Sequence, residues 1–138
     1  LYTEQLAWEL GFQDQPLDNL GRLQGEMMRA VRLVVDTGMH DKRWTREQAI
    51  AYMLEKTGMP ETDVVAEIER YLVMPGQALA YKVGMQKILE LRDRARTALG
   101  PRFDIRRFHM AVLDQGAVPL TVLDQQIDTW IAAERRQP

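Results

Sequence analysis

Residues Leu17–His40, LDNLGRLQGEMMRAVRLVVDTGMH, constrain this chain more than any other stretch. The run is too long and too evenly polar to be a strand, and its spacing predicts one long amphipathic helix. Leu20, Leu23, Met27, Ala30, Val31, Val34 and Val35 recur at three- and four-residue steps and define an apolar stripe. Arg29, Arg32, Asp36 and His40 fall at i, i+3, i+7 and i+11, in one row on a different face. Two cations, a carboxylate and an imidazole in a row suit a wall that holds a charged substrate. They equally suit a solvated face tied by Arg32–Asp36 and Asp36–His40 pairs, each worth a few tenths of a kcal/mol.

The rest of the chain is punctuated as helices. Gly11 ends a first helix and Asp18 is in position to cap the long one. Thr45 and Gln48 have the spacing of a capping box ahead of Ile50, Met53 and Leu54, and Gly58 with Pro60 closes that segment. Thr62 or Asp63 opens a helix through Val64, Ile68, Tyr71 and Leu72. Residues 75–99 read as a further helix that starts at Pro75, with an apolar first half to be buried and a charged second half to be solvated. Gly76 and Gly84 within it suggest close approach of a backbone or a substrate. Asp104 caps a short helix, and Thr121 opens the last one, through Leu123, Ile127, Trp130 and Ile131. No stretch alternates with period two. The expected fold is all-α: one domain of about six or seven helices, a multi-helical array over residues 1–138, with no sheet.

Composition removes several function classes. The 138 residues carry 18 Lys and Arg against 20 Asp and Glu, a net charge of −2 that argues against a general nucleic-acid binder. No apolar run is long enough to span a bilayer. Without Cys, thiolate catalysis and Cys-type zinc sites are excluded, and two His residues in no HExxH arrangement give no His-rich metal site. No metal ligand and no cofactor is assigned within the chain.

Tyr81, in PGQALAYKVG, is the most pointed candidate for chemistry. A phenol between two glycines can donate a hydrogen bond to a developing oxyanion, and Gln77 lies one turn before it. The alternative is a core aromatic with its hydroxyl satisfied locally. His40 has Asp36 one turn back, so a carboxylate can fix its tautomer, or it is a helix-terminal His favoured by the dipole.

The stretches LGRLQGEMMRAVRLVVDTGMH, WTREQAIAYMLEKTG, EIERYLVMPGQALAYKVG and FDIRRFHMAVLDQGAVPLTVL resemble the C-terminal part of the bacterial domain-of-unknown-function family 885. That family is similar to mostly helical zinc metallopeptidases of the gluzincin type. The resemblance implies that the metal motif and its third ligand lie before residue 1, so that the chain is the C-terminal piece of a larger zinc-dependent peptidase or hydrolase. It implies Tyr81 and His40 as groups that hydrogen-bond substrate and oxyanion, and Arg29, Arg32, Asp36 and Gln77 as a substrate-binding set. Zinc and a peptide-like substrate are then expected of the full-length parent, and self-association of the piece through apolar faces left uncovered. The other open reading is a non-enzymatic helical scaffold or interaction module.

Overall fold

A computed structural model describes residues 1–136 and contains seven α-helices and no strand among them. They are α1 (Tyr2–Glu9), α2 (Pro16–His40), α3 (Arg46–Thr57), α4 (Glu61–Val73), α5 (Ala80–Leu99), α6 (Ile105–Leu113) and α7 (Leu120–Arg136). No helix is long and apolar enough to cross a membrane among the described residues. The chain divides into two compact units, Leu1–Val83 and Gly84–Pro138.

Several boundaries follow the local chemistry read from the sequence. Thr45 accepts from the Gln48 N–H while the Gln48 side chain accepts from the Thr45 N–H, a complete capping box. Gly58 terminates α3 in the left-handed conformation, and Asp104 caps α6 through the Arg106 N–H. Two expected caps are corrected. Helix α2 begins at Pro16, whose missing N–H suits the first turn, so Asp18 lies inside that turn. Helix α4 begins at Glu61 behind Pro60, ahead of both Thr62 and Asp63.

The first unit packs α2 against α3 and α4, with α1 lying on α2. Its interior is Val31, Val35, Met39, Ala49, Ile50, Met53, Val64, Ile68, Tyr71 and Ala78. Gly38 is required there: a Cβ would meet the Trp44 ring at 2.7 Å, and Trp44 packs against this core beside Tyr52. The apolar stripe of α2 read from the sequence is corrected by this packing. Val31 and Val35 are buried, but Leu20, Leu23, Met27 and Val34 are exposed. A second row with the same spacing, Met28, Val31, Arg32, Val35, Asp36 and Met39, faces the core or is packed against it. That row wins because α4 and the following turn supply partners for its two charges.

The expected continuous helix at 75–99 is also corrected. Gly76 adopts φ +78°, Gln77–Leu79 form a single 3-10 turn, and α5 starts at Ala80. Gly76 is there for its left-handed backbone, since no atom lies within 4 Å of a Cβ built on it, and Gly84 likewise faces open space. The expected split into a buried first half and a solvated second half is corrected to a stripe along the whole stretch: Ala78 and Met85 are buried but Tyr81 and Val83 are exposed, and Leu91, Arg92, Ala95 and Leu99 are buried while Asp93 and Arg96 are exposed.

In the second unit, Leu91, Ala95, Leu99, Phe108, Leu123, Ile127 and Ile131 form one apolar interior, with Trp130 and Phe103 packed against it. Most of its charge lies outside, although Arg92 and Glu134 are buried. Arg94 binds Asp124 at 2.6 Å, Glu90 at 2.7 Å and Asp128 at 2.9 Å, and Lys87 shares Glu90 and Asp124. These pairs hold the Asp124 and Glu90 carboxyls below their usual range, mainly through Arg94 for Asp124 and Lys87 for Glu90.

Candidate functional site

The middle of the row on α2 is not a solvated face. Arg32 is 7% exposed and Asp36 2%. Charges this far from water need partners that replace hydration, and both have them. Arg32 donates from Nε to the Tyr71 hydroxyl at 2.8 Å and from Nη2 to Glu67 Oε2 at 2.8 Å. The Tyr71 hydroxyl donates in turn to Glu67. Arg70 adds a bond from Nη2 to the same carboxylate at 3.0 Å, and its Nη1 reaches Gln77 Oε1 at 2.7 Å. Burial alone would raise the Glu67 carboxyl, but bonds from Tyr71, Arg70 and Arg32 outweigh it and the net shift is downward. Burial, then the hydrogen bond to Glu67, pushes the Tyr71 phenol well above its ordinary value, so Tyr71 is a neutral structural donor.

Asp36 organises the next layer. Both carboxylate oxygens accept from the Gly76 N–H at 3.1 Å, which fixes the left-handed turn between α4 and α5. His40 Nδ1 lies 2.9 Å from the Asp36 carbonyl oxygen and 3.1 Å from Asp36 Oδ1. Two acceptors at Nδ1 favour a proton on that nitrogen. His40 itself lies at the surface.

Tyr81 sits five residues past that turn, 48% exposed, with the Arg32 guanidinium 5.3 Å from its ring centroid. The buried cation therefore supports the ring from beneath. The Tyr81 hydroxyl makes no hydrogen bond among the described residues. Of the six residues singled out from sequence, Arg32 and Tyr81 touch, Asp36 and His40 touch, and Gln77 joins them through Arg70 and Glu67. Arg29 stands apart: its Nη1 donates to the Gly25 carbonyl oxygen of its own helix at 2.9 Å.

Sequence reading missed Glu67 and Tyr71. The signal was present: Glu67 lies one residue from Ile68 and one turn from Tyr71 and Val64, a carboxylate on the edge of a buried stripe. Among the described residues no group of three or more His, Asp or Glu is placed to hold a metal ion. The His40–Asp36 pair does not make a zinc site, so no step through a metal is derived from these residues.

Comparison with known proteins supports the family resemblance itself. The model of a family described as "Bacterial protein of unknown function (DUF885)" matches residues 1–127. Among solved structures, one described as "the putative lipoprotein from Colwellia psychrerythraea" superposes with a TM-score of 0.93 at 60% sequence identity over 96% of this chain. The match covers 23% of that protein's chain, so the present residues span under a quarter of the relative's length. No curated protein matches.

Proposed function

This chain belongs to the DUF885 family, and from that premise we propose that it forms a substrate-facing helical wall of a zinc-dependent peptidase or related hydrolase. The observation that carries the reading is Tyr81: an exposed phenol, its ring backed by a buried guanidinium, at the start of α5, five residues past the Gly76 turn that Asp36 ties down. A phenol so placed is a pre-oriented donor for an oxyanion, since the work of holding it is done before substrate arrives. His40 is the second surface group, its orientation set by Asp36. Arg32 and Asp36 act here as positioning residues, because their charges are spent on Glu67, Tyr71 and Gly76. Arg29 and Gln77 would meet substrate at the edge.

Zinc enters this proposal only as an ion of the larger protein, where it would polarise the scissile carbonyl and activate water. Its ligands would come from outside these residues.

The test uses the natural polypeptide that contains this segment, incubated with a mixed peptide pool with and without chelator, as wild type and as Tyr81→Phe. Chelator-sensitive hydrolysis is expected. Tyr81→Phe should lower kcat by about 10²- to 10³-fold, with KM and bound zinc little changed. A complete absence of hydrolysis, or full activity of Tyr81→Phe, would overturn the reading. A non-enzymatic scaffold is the second reading, favoured by the exposed apolar face of α2.

A further inference from the structure

The residues of α2 that the core leaves out are not scattered. Leu20, Leu23, Met27, Ala30 and Val34 follow a 3–4–3–4 step, the a/d spacing of a helix seam. Leu20, Leu23, Met27 and Val34 are between 38% and 61% exposed. A groove of about 390 Å³ runs along the same face, lined by Leu23, Glu26, Met27, Ala30 and Lys82. Its polar edge is already neutralised: Glu26 accepts from Lys82 Nζ at 2.6 Å and from Arg22 Nη1 at 3.2 Å, and the Lys82 bond foremost holds its carboxyl below the usual range.

We infer that this seam is the seat of an amphipathic helix from the same polypeptide, outside residues 1–138. The spacing fits a helix, since a helical partner presents knobs at the same interval. The internally paired edge calls for apolar side chains and not for a charged peptide. The source follows from length: the segment covers 23% of a relative 60% identical to it, so most of that chain lies outside the matched region. A tethered helix meets the seam at an effective concentration that a second molecule reaches only near millimolar. Four side chains of this size fall well short of the about 800 Å² per partner that a standard interface buries. The inference rests on the chain being one segment of a longer protein, and it is independent of the chemistry assigned to Tyr81.

The experiment places the photo-crosslinking residue p-benzoylphenylalanine at Leu23, and separately at Val34, in the natural full-length polypeptide. A mixture of isotopically light and heavy protein is irradiated and the peptides are read by mass spectrometry. The expected product is a crosslink within one molecule to a helix with apolar residues at three- and four-residue steps outside residues 1–138. Crosslinks joining light to heavy chains would replace that occupant with a second copy. Crosslinks confined to residues 1–138, or quenching by water at both positions, would overturn the inference. Peptidase activity is scored separately, so loss of the catalytic reading leaves this result intact.

Discussion

In residues 1–83 the Arg32 guanidinium lies in the interior while Leu20, Leu23 and Met27 face water. In residues 84–136 Leu91, Ala95, Phe108 and Ile127 fill the interior, and Arg94 lies outside it with Asp124 and Asp128. The second unit also buries Arg92 and Glu134, and the Glu134 partner Arg107 is half exposed. The difference teaches where each unit spends its specificity. The second is mainly an apolar core under a charged coat, organised chiefly by the hydrophobic effect. The first accepts the cost of burying ions, and the return is a fixed platform: Arg32 under the Tyr81 ring and Asp36 on the Gly76 turn. An apolar core could be as stable, but it would not orient a surface phenol.

The contrast can be broken most easily from the second unit. Phe108 has no exposed surface, and Phe108→Ala should cost about 3–5 kcal/mol, read by urea unfolding followed through Trp130. A loss below about 1 kcal/mol would mean that this unit is not held by its apolar interior. In the first unit, Gly38→Ala drives a methyl into the Trp44 ring and should cost about 1–3 kcal/mol, with a change in Trp44 fluorescence.

Acid should distinguish the units' ionic layers. The folded Glu67 carboxyl lies below its unfolded value, so its contribution is complete above the ordinary glutamate pKa, about 4.3. That contribution is lost as pH falls through the lowered folded value. Glu67→Gln should therefore flatten the acid limb of urea stability between about pH 5 and 3 for the first unit only. An unchanged limb would mean that folding does not lower the Glu67 carboxyl from its unfolded value. The smallest effect is expected at the seam: Leu23→Ser in the 138-residue chain should stay within about 0.5 kcal/mol, because Leu23 is already in water.

Helix α7 was legible in sequence because its periodicity is unopposed: Leu123, Ile127 and Ile131 read inward and are inward. Along α2 two rows share the same spacing, and the more apolar one reads as core. Only a tertiary fact reverses that choice, namely Glu67 and Tyr71 arriving from α4 to receive Arg32. The break at Gly76 escaped for a related reason: its partner, Asp36, lies 40 residues away. Candidate residues Arg32, Asp36, His40 and Tyr81 were nameable from residue type and spacing, but their depth was not. The helix-terminal chemistry at Thr45, Gly58 and Asp104 is local, and it was readable for that reason.

The most direct test compares Arg32→Met with Arg94→Met, each read by urea unfolding through a tryptophan of its own unit, Trp44 or Trp130, with Trp8 replaced by Phe. Arg32→Met should cost about 2–3 kcal/mol, less than a fully severed buried pair because Arg70 still meets Glu67. Arg94→Met should cost at most about 1 kcal/mol, the scale of exposed ion pairs. Equal losses at the two positions, or a neutral Arg32→Met, would contradict the claim that the first unit is built around its buried charges.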